Sequence, residues 1–230
     1  MPDTLKYRCL VLDHDDTVVN STATIHYPCF LEYLSKIKPG MEKNYTPESY
    51  LLKNFHPGVV SLFRDECGMS EEEFTAEQAY WAEYVKDHIP PAYPGIREIL
   101  CRFRAAGGIL AVDSHSYVRY IERDYRAAGL PMPDVIYGWD LPPEQRKPSP
   151  YTLFDLMKRY SLAPGDLLVV DDLKPGYDMA KGAGVDFAAA GWGYDVPEIE
   201  SFMRKNCTYY CKRVPDLAAI LFEEDGTVSH

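Results

Sequence analysis

Three aspartates fall within four positions, Asp13, Asp15 and Asp16, where the apolar run LVL (10–12) ends. Other apolar runs close on polar residues in the same way. GILAVD (108–113) leads into Ser114-His115-Ser116, DLLVVD (166–171) ends in the pair Asp171-Asp172, and Lys147 lies between them in RKPSP. Two carboxylates about 4 Å apart repel by roughly 4 kcal/mol at an effective dielectric of 20. Converging acids therefore raise one another's pKa or require a counter-charge. A divalent cation meets that need: Mg²⁺ takes oxygen ligands and needs only one or two carboxylates together with substrate phosphate. A lysine supplies charge to a phosphoryl group and a serine supplies a hydrogen bond. An ionised carboxylate can attack phosphorus without a general base.

For these residues to meet, their strands must end at one edge. Five apolar runs have strand length: 7–12, 108–113, 134–138, 166–171 and 185–190. Helical patterns lie between most of them. PGIREILCRFRAAGG has a Pro near its start and stops at Gly107; SYVRYIERDYRAAGLP stops at Gly129; SPYTLFDLMKRYS follows Lys147; PGYDMAKGAG follows the 166–171 run. Continuous apolar strands alternating with helices predict an α/β fold, a parallel sheet covered on both faces. In such sheets ligands bind beyond the carboxyl ends of the strands, where the polar residues above would sit. Residues 20–91 break the alternation. CFLEYLSKI, PESYLLKNF, GVVSLFRDEC and SEEEFTAEQAYWAEYVKDH all have helical patterns, and Ser70 with Glu73 makes a capping box for the last. The expected organisation is a core of 1–19 and 92–230 with a helical subdomain, 20–91, inserted after the first strand.

The motif DHDDT resembles the DxDxT nucleophile motif of the haloacid dehalogenase superfamily. Ser114, Lys147 before a helix, and the acidic pair at 171–172 follow in that family's order, and the helical insert is similar to its C1-type cap. The resemblance covers nearly the whole chain and implies a Rossmann-like core. It implies that Asp13 is the nucleophile and a metal ligand. Asp15 would be the general acid and then the base, meeting the metal through its backbone carbonyl, and Thr17 would orient the motif. Ser114 and Lys147 would hold phosphoryl oxygens, with His115 as a further candidate for substrate phosphate. Asp172 aligns with the metal-binding aspartate, and Asp171 is a second candidate ligand. An acid two residues after the nucleophile separates phosphatases and phosphomutases from dehalogenases. The expected activity is thus a Mg²⁺-dependent, phosphoglycolate-phosphatase-like hydrolysis of a small phosphate monoester through an aspartyl phosphate. A sugar-phosphate mutase and a non-catalytic regulatory protein on the same fold are the alternatives.

Several other residues have bland readings. Asp16, in place of the glycine common in DxDGT, is expected to shape the turn by an Asx-type hydrogen bond. His14 is expected to point away from the aspartates. Asp113, inside an apolar strand, has no evident partner. His26 and Tyr27, at the start of the insert, are either linker or substrate contacts. Lys53, Lys174 and Asp178 are read as solvated or supporting groups, and Trp192 as packing at the core edge. The net charge of −11 argues against nucleic-acid binding, which needs Lys and Arg to neutralise phosphates. No stretch approaches the roughly 20 apolar residues of a membrane span, and the first residues do not form a leader. The six cysteines have no zinc spacing and read as reduced and cytoplasmic; Cys207 and Cys211 alone do not make a metal site. The partner expected is a small phosphorylated metabolite, with the oligomeric state open between monomer and homodimer. The tail EEDGTVSH (223–230) is expected to be mobile.

Overall fold

β1 (Cys9–Leu12) is apolar and buried at every position, as a strand covered on both faces must be. Alternation sends Leu10 and Leu12 into one core and Cys9 and Val11 into the other. The computed structural model describes residues 3–222, so the expectation for the tail at 223–230 lies outside the described residues. β2 (Ile109–Asp113), β3 (Val135–Tyr137), β4 (Leu167–Asp171), β5 (Asp186–Ala190) and β6 (Tyr209–Cys211) complete one sheet in the order β3-β2-β1-β4-β5-β6. Every neighbouring pair is parallel. β1 lies at the centre, with Leu12 in register with Val112 on one side and Val170 on the other. The strand order reverses between β1 and β4, which opens the crevice where such sheets bind ligands.

The five expected strands are present, each within two residues of its expected limits, and β6 is an addition. Three residues, YYC, give too little apolar periodicity to stand out, yet Cys211 is fully buried there and its thiol is part of the core.

Helices cover both faces of the sheet. They are α5 (Ile96–Ala105), α6 (Val118–Ala127), α7 (Tyr151–Tyr160), α8 (Lys174–Ala183), α9 (Pro197–Asn206) and α10 (Val214–Leu221). Gly107, just past α5, and Gly129, just past α6, take positive φ (87° and 62°), the backbone turn that glycine ends a helix with. Between β1 and α5 the described residues of 20–91 form helices and no strand of the sheet. They are α1 (Tyr27–Ile37), α2 (Pro47–Phe55), a single turn α3 (Val59–Ser61) and α4 (Glu71–Lys86), with π-helical stretches at 22–26 and 62–66. Ser70 and Glu73 form the expected capping box at the start of α4. The insert has its own apolar cluster, including Phe30, Leu34, Tyr50, Leu62, Phe63 and Phe74. It also touches the core: Phe55 of α2 meets Phe202 of α9 edge-on at 5.2 Å between centroids.

Candidate active site

Asp13 is one residue past β1, and its N–H donates to the Val170 carbonyl of β4 at 2.8 Å. The register that pairs Leu12 with Val170 also sets Asp13 level with Asp171. Lys147, brought in by the loop before α7, closes the pair. Its Nζ lies 2.7 Å from Asp13 Oδ1 and 2.6 Å from Asp171 Oδ2, with all three side chains almost fully buried. Burial opposes the lysine's charge, but the carboxylates of Asp13 and Asp171 outweigh it and push its pKa up. Burial also pushes Asp13 well up; Lys147 counters this, and the charges of Asp171 and Asp15 add to it. Asp171 has a second partner, the Leu173 N–H at 2.8 Å from Oδ1. Close approach of α8 keeps this geometry tight: a Cβ on Gly176 would lie 2.1 Å from Asp171 Oδ2.

Asp172 is different. Tyr194 donates to its backbone oxygen at 2.9 Å and to Oδ2 at 3.1 Å, while its Oδ1 is buried with no hydrogen-bond partner. Burial, then the charges of Asp171, Asp13 and Asp16, push its pKa well up. Carboxylate oxygens of Asp13, Asp171 and Asp172 all lie within 4.8 Å of one another. One lysine faces three acids, and a buried oxygen points at nothing. That donor set fits a hard divalent cation, which takes oxygen ligands and resolves the excess charge. Since both oxygens of Asp171 are engaged, Asp13 and Asp172 are the better-placed ligands.

The Asp15 side chain turns away from this group. Its Oδ1 lies 2.9 Å from His26 Nε2, and its Oδ2 accepts from Ser116 Oγ at 2.6 Å. Ser114 Oγ is farther, at 3.4 Å from Oδ2. Burial alone would raise the pKa of Asp15, but His26 and the Ser116 hydroxyl outweigh it and hold the carboxylate well below its usual range. The Trp81 indole of α4 donates to His26 Nδ1 at 2.9 Å. An indole N–H can only donate, so Nδ1 accepts and the ring's single proton sits on Nε2, facing Asp15. Burial also disfavours the imidazolium, and the Asp15 charge works against both by raising the His26 pKa. A chain of contacts thus runs from α4 of the insert through His26 to Asp15 in the core.

The other candidates fall around these two groups. Thr17 is fully buried, with its Oγ1 unpartnered and its carbonyl accepting from Trp192 Nε1 at 3.1 Å. His115 is within 3.2 Å of the Lys147 carbonyl through Nε2, and it stands edge-on to Trp139. Burial, with Lys147 nearby, pulls its pKa down to about 4. A neutral ring facing a carbonyl must donate, so Nε2 carries the proton and fixes the Lys147 loop. Asp16 adopts φ 56° and accepts N–H bonds from Ser21 (3.2 Å) and Thr22 (3.1 Å). Aspartate tolerates this left-handed backbone better than most residues, and the bonds are the expected turn chemistry. His14 points away, to Asp124 Oδ2 at 3.1 Å. Asp113 has a partner after all: it accepts a hydrogen bond from Thr152 of α7, and burial raises its pKa to about 6. Lys53 pairs with Glu66 and Lys174 with Asp178, each at 2.5 Å.

Ser116, Trp81 and Tyr194 were not singled out from the sequence as site residues. Ser116 had a signal, since it lies two positions beyond Ser114 and so points to the same side. Trp81 had none, because its meeting with His26 depends on how α4 packs. The same holds for Tyr194, whose loop reaches Asp172 only through the fold.

Comparison with known proteins gives the family of the chain and likenesses to its fold. The family model for haloacid dehalogenase-like hydrolases matches residues 10–190. A phosphoglycolate phosphatase from Nitrosospira multiformis is 32% identical over 199 residues, 83% of this chain and 86% of its own length. One from Mesorhizobium japonicum is 26% identical over 204 residues, covering 84% and 86%. Phosphoglycolate phosphatase 1 from Pseudomonas aeruginosa is 33% identical over 132 residues, and that match spans 56% of this chain but 48% of the relative. Among solved structures, a predicted phosphoglycolate phosphatase from Haemophilus somnus superposes with a TM-score of 0.71 at 20% identity, covering 94% of this chain and 98% of that one. A haloacid dehalogenase-like family hydrolase from Streptococcus pneumoniae gives 0.70 at 17% identity, covering 93% and 98%. At such identities the structural likeness carries the fold alone. The family model matches most of the chain, and the chain belongs to the haloacid dehalogenase-like hydrolases, as a phosphoglycolate-phosphatase-like member.

Proposed function

We propose that this protein is a Mg²⁺-dependent phosphatase that hydrolyses a small phosphate monoester through an aspartyl phosphate on Asp13. The observation that carries this reading is the division of the aspartates into two groups. Asp13 sits against Lys147 beside the unpartnered oxygen of Asp172, while Asp15 is held apart by His26 and Ser116. A nucleophile must lie beside the phosphoryl-binding charge, and a proton carrier must reach the leaving oxygen without competing for phosphorus.

Asp13 attacks phosphorus in line with the leaving alcohol, and the P–O bond to that alcohol breaks. Lys147 and Ser114 hold the phosphoryl oxygens through the transfer. Asp15 gives its proton to the departing alkoxide, then takes one from the water that cleaves the aspartyl phosphate and frees inorganic phosphate. In the free protein Asp15 is held ionised. An arriving phosphate dianion raises its pKa as any like charge would, which lets it load the proton it must donate. Asp13 and Asp172 would hold the Mg²⁺, whose positive charge would offset that of the phosphoryl group as Asp13 approaches it. Residues 20–91 act as the cap that covers the site and excludes water.

The test is phosphate release from p-nitrophenyl phosphate with Mg²⁺, by the native protein and by Asp13→Asn. Asn is neutral and a poor nucleophile, so the rate should fall by about 10³-fold or more. Equal rates for the two proteins refute the reading. Scoring isomer conversion of a sugar phosphate in parallel separates a mutase from a phosphatase. We also infer a cytoplasmic setting, supported by six cysteines that are all free; no described helix is long and apolar enough to cross a membrane.

A further inference from the structure

Glu77 is the only buried acid among the described residues of the insert, with 6% of its surface exposed. It stands one turn before Trp81 on α4, so both share a helix face, and that face meets His26. Glu77 lies close enough to His26 to interact with it electrostatically, and likewise to Tyr50 of α2, which in turn lies near Asp16. No hydrogen bond or ion pair among the described residues reaches the Glu77 carboxyl. Its oxygens are not among the fully enclosed polar atoms, so an otherwise buried side chain presents an acid that no protein group satisfies to a narrow solvent-reached space.

The cations of the insert do not supply one. Lys36, Lys38, Lys53, Arg64 and Lys86 are each paired with an acid at the surface, namely Glu32, Glu73, Glu66, Glu71 and Glu83. Lys43 is exposed. On the core side Lys147 is taken by Asp13 and Asp171, and Arg146 donates to the Leu141 carbonyl while lying on the Trp139 ring. On the helix face that meets His26 the insert therefore carries a buried acid, and none of its cations is buried.

We propose that Glu77 selects the leaving alcohol: it accepts a hydrogen bond from a hydroxyl or ammonium group and disfavours a leaving alcohol that carries a carboxylate. This rests on the phosphatase reading and narrows it. It also separates the chain from the activity that its relatives' names describe, because glycolate is a carboxylate. A pocket with an unpaired acid rejects an anion by repulsion, and it rejects a ligand without donors by leaving the acid unsatisfied.

The experiment measures kcat/KM with Mg²⁺ at pH 8.5, where Glu77 is ionised, for 2-phosphoglycolate, glycerol 3-phosphate, O-phosphoethanolamine and p-nitrophenyl phosphate. The expected result is that glycerol 3-phosphate or phosphoethanolamine exceeds phosphoglycolate by about 10-fold or more. Whichever of the two leads tells hydroxyl from ammonium. In Glu77→Gln, which keeps the size and removes the charge, that ratio should shrink by about 10-fold, through both KM and kcat; Glu77→Leu is a second variant should glutamine find a new partner. A preference for phosphoglycolate in the native protein overturns the inference, as does a ratio unchanged in both variants. Turnover of p-nitrophenyl phosphate with phosphoglycolate preferred overturns this inference alone. No phosphate release from any of the four esters overturns the phosphatase reading, and this inference with it.

Discussion

Replacing Glu77 by glutamine should weaken the dependence of stability on pH, independently of any catalytic role. Burial raises the Glu77 pKa from 4.5 to about 7, with the His26 charge pulling the other way. Between those values the folded chain holds a proton that the unfolded chain releases, so stability falls as pH rises through this window. A shift of about two and a half units at 1.36 kcal/mol each amounts to about 3 kcal/mol once the group is fully ionised. The residue is 6% exposed and its oxygens keep some contact with solvent, which trims this figure. Glutamine mimics the protonated acid. Urea unfolding at pH 5 should therefore give similar free energies for the two proteins, and at pH 8.5 the variant should be more stable by about 2–3 kcal/mol. The native protein need not be monotonic, since other acids titrate too; the difference between the two curves isolates Glu77. A difference that stays constant from pH 5 to 8.5 would falsify the claim that burial raises the pKa of this carboxyl.

Three further outcomes follow from the geometry of the site. Lys147→Met leaves Asp13 and Asp171 buried together without their counter-charge and should destabilise the fold by about 3–5 kcal/mol in urea; Mg²⁺ should raise the variant's melting temperature more than that of the native protein. Trp81→Phe removes the N–H that occupies His26 Nδ1, so the ring should protonate more readily and its pKa rise by about one unit; histidine ring signals followed by NMR against pH report this directly, and an unchanged pKa would refute the assigned tautomer. Gly176→Ala forces a Cβ into Asp171 and should cost about 1–3 kcal/mol, with a loss of phosphatase activity that exceeds the loss of folded protein.

The core was legible because its signals are local. Four-to-six-residue apolar runs closed by polar residues mark parallel strands, and the rule that ligands bind beyond their carboxyl ends gathers Asp13, Ser114, Lys147 and Asp171 without coordinates. What stayed hidden depends on long-range packing. Asp113 looked like an unpaired charge in a strand until α7 brought Thr152 against it. β6 was too short to show a period, and its strand character comes from β5 pairing with it. His26 could be placed at the start of the insert but not given a direction. The π-helical turn at 22–26 and the Trp81 side chain of α4 aim it at Asp15, and no pattern within residues 20–30 encodes that.

The five acids at the ends of β1 and β4 have different surroundings, and on the proposed reading different roles. Asp171 has both oxygens occupied, by Lys147 and by the Leu173 N–H, so it serves to hold the lysine. Asp172 keeps one buried oxygen open, which suits it to hold a cation together with Asp13 on the proposed reading. Asp15 is tied through His26 to the insert, so a movement of α4 would change the hydrogen bonding of Asp15, the proposed proton carrier, while leaving the partners of Asp13 in place. Asp16 spends its carboxylate on two backbone N–H groups and a left-handed turn. The turn sets where the chain leaves the core, and with it where His26 can reach. On this account a leaving group seated against Glu77 and an Asp15 ready to protonate it are linked events, because the same face of α4 carries Glu77 and Trp81. Substrates that fail to engage Glu77 should then lose turnover as well as affinity, and Trp81→Phe should narrow the kcat difference between good and poor substrates; a kcat gap that persists in that variant would show that α4 senses the substrate without passing it to Asp15.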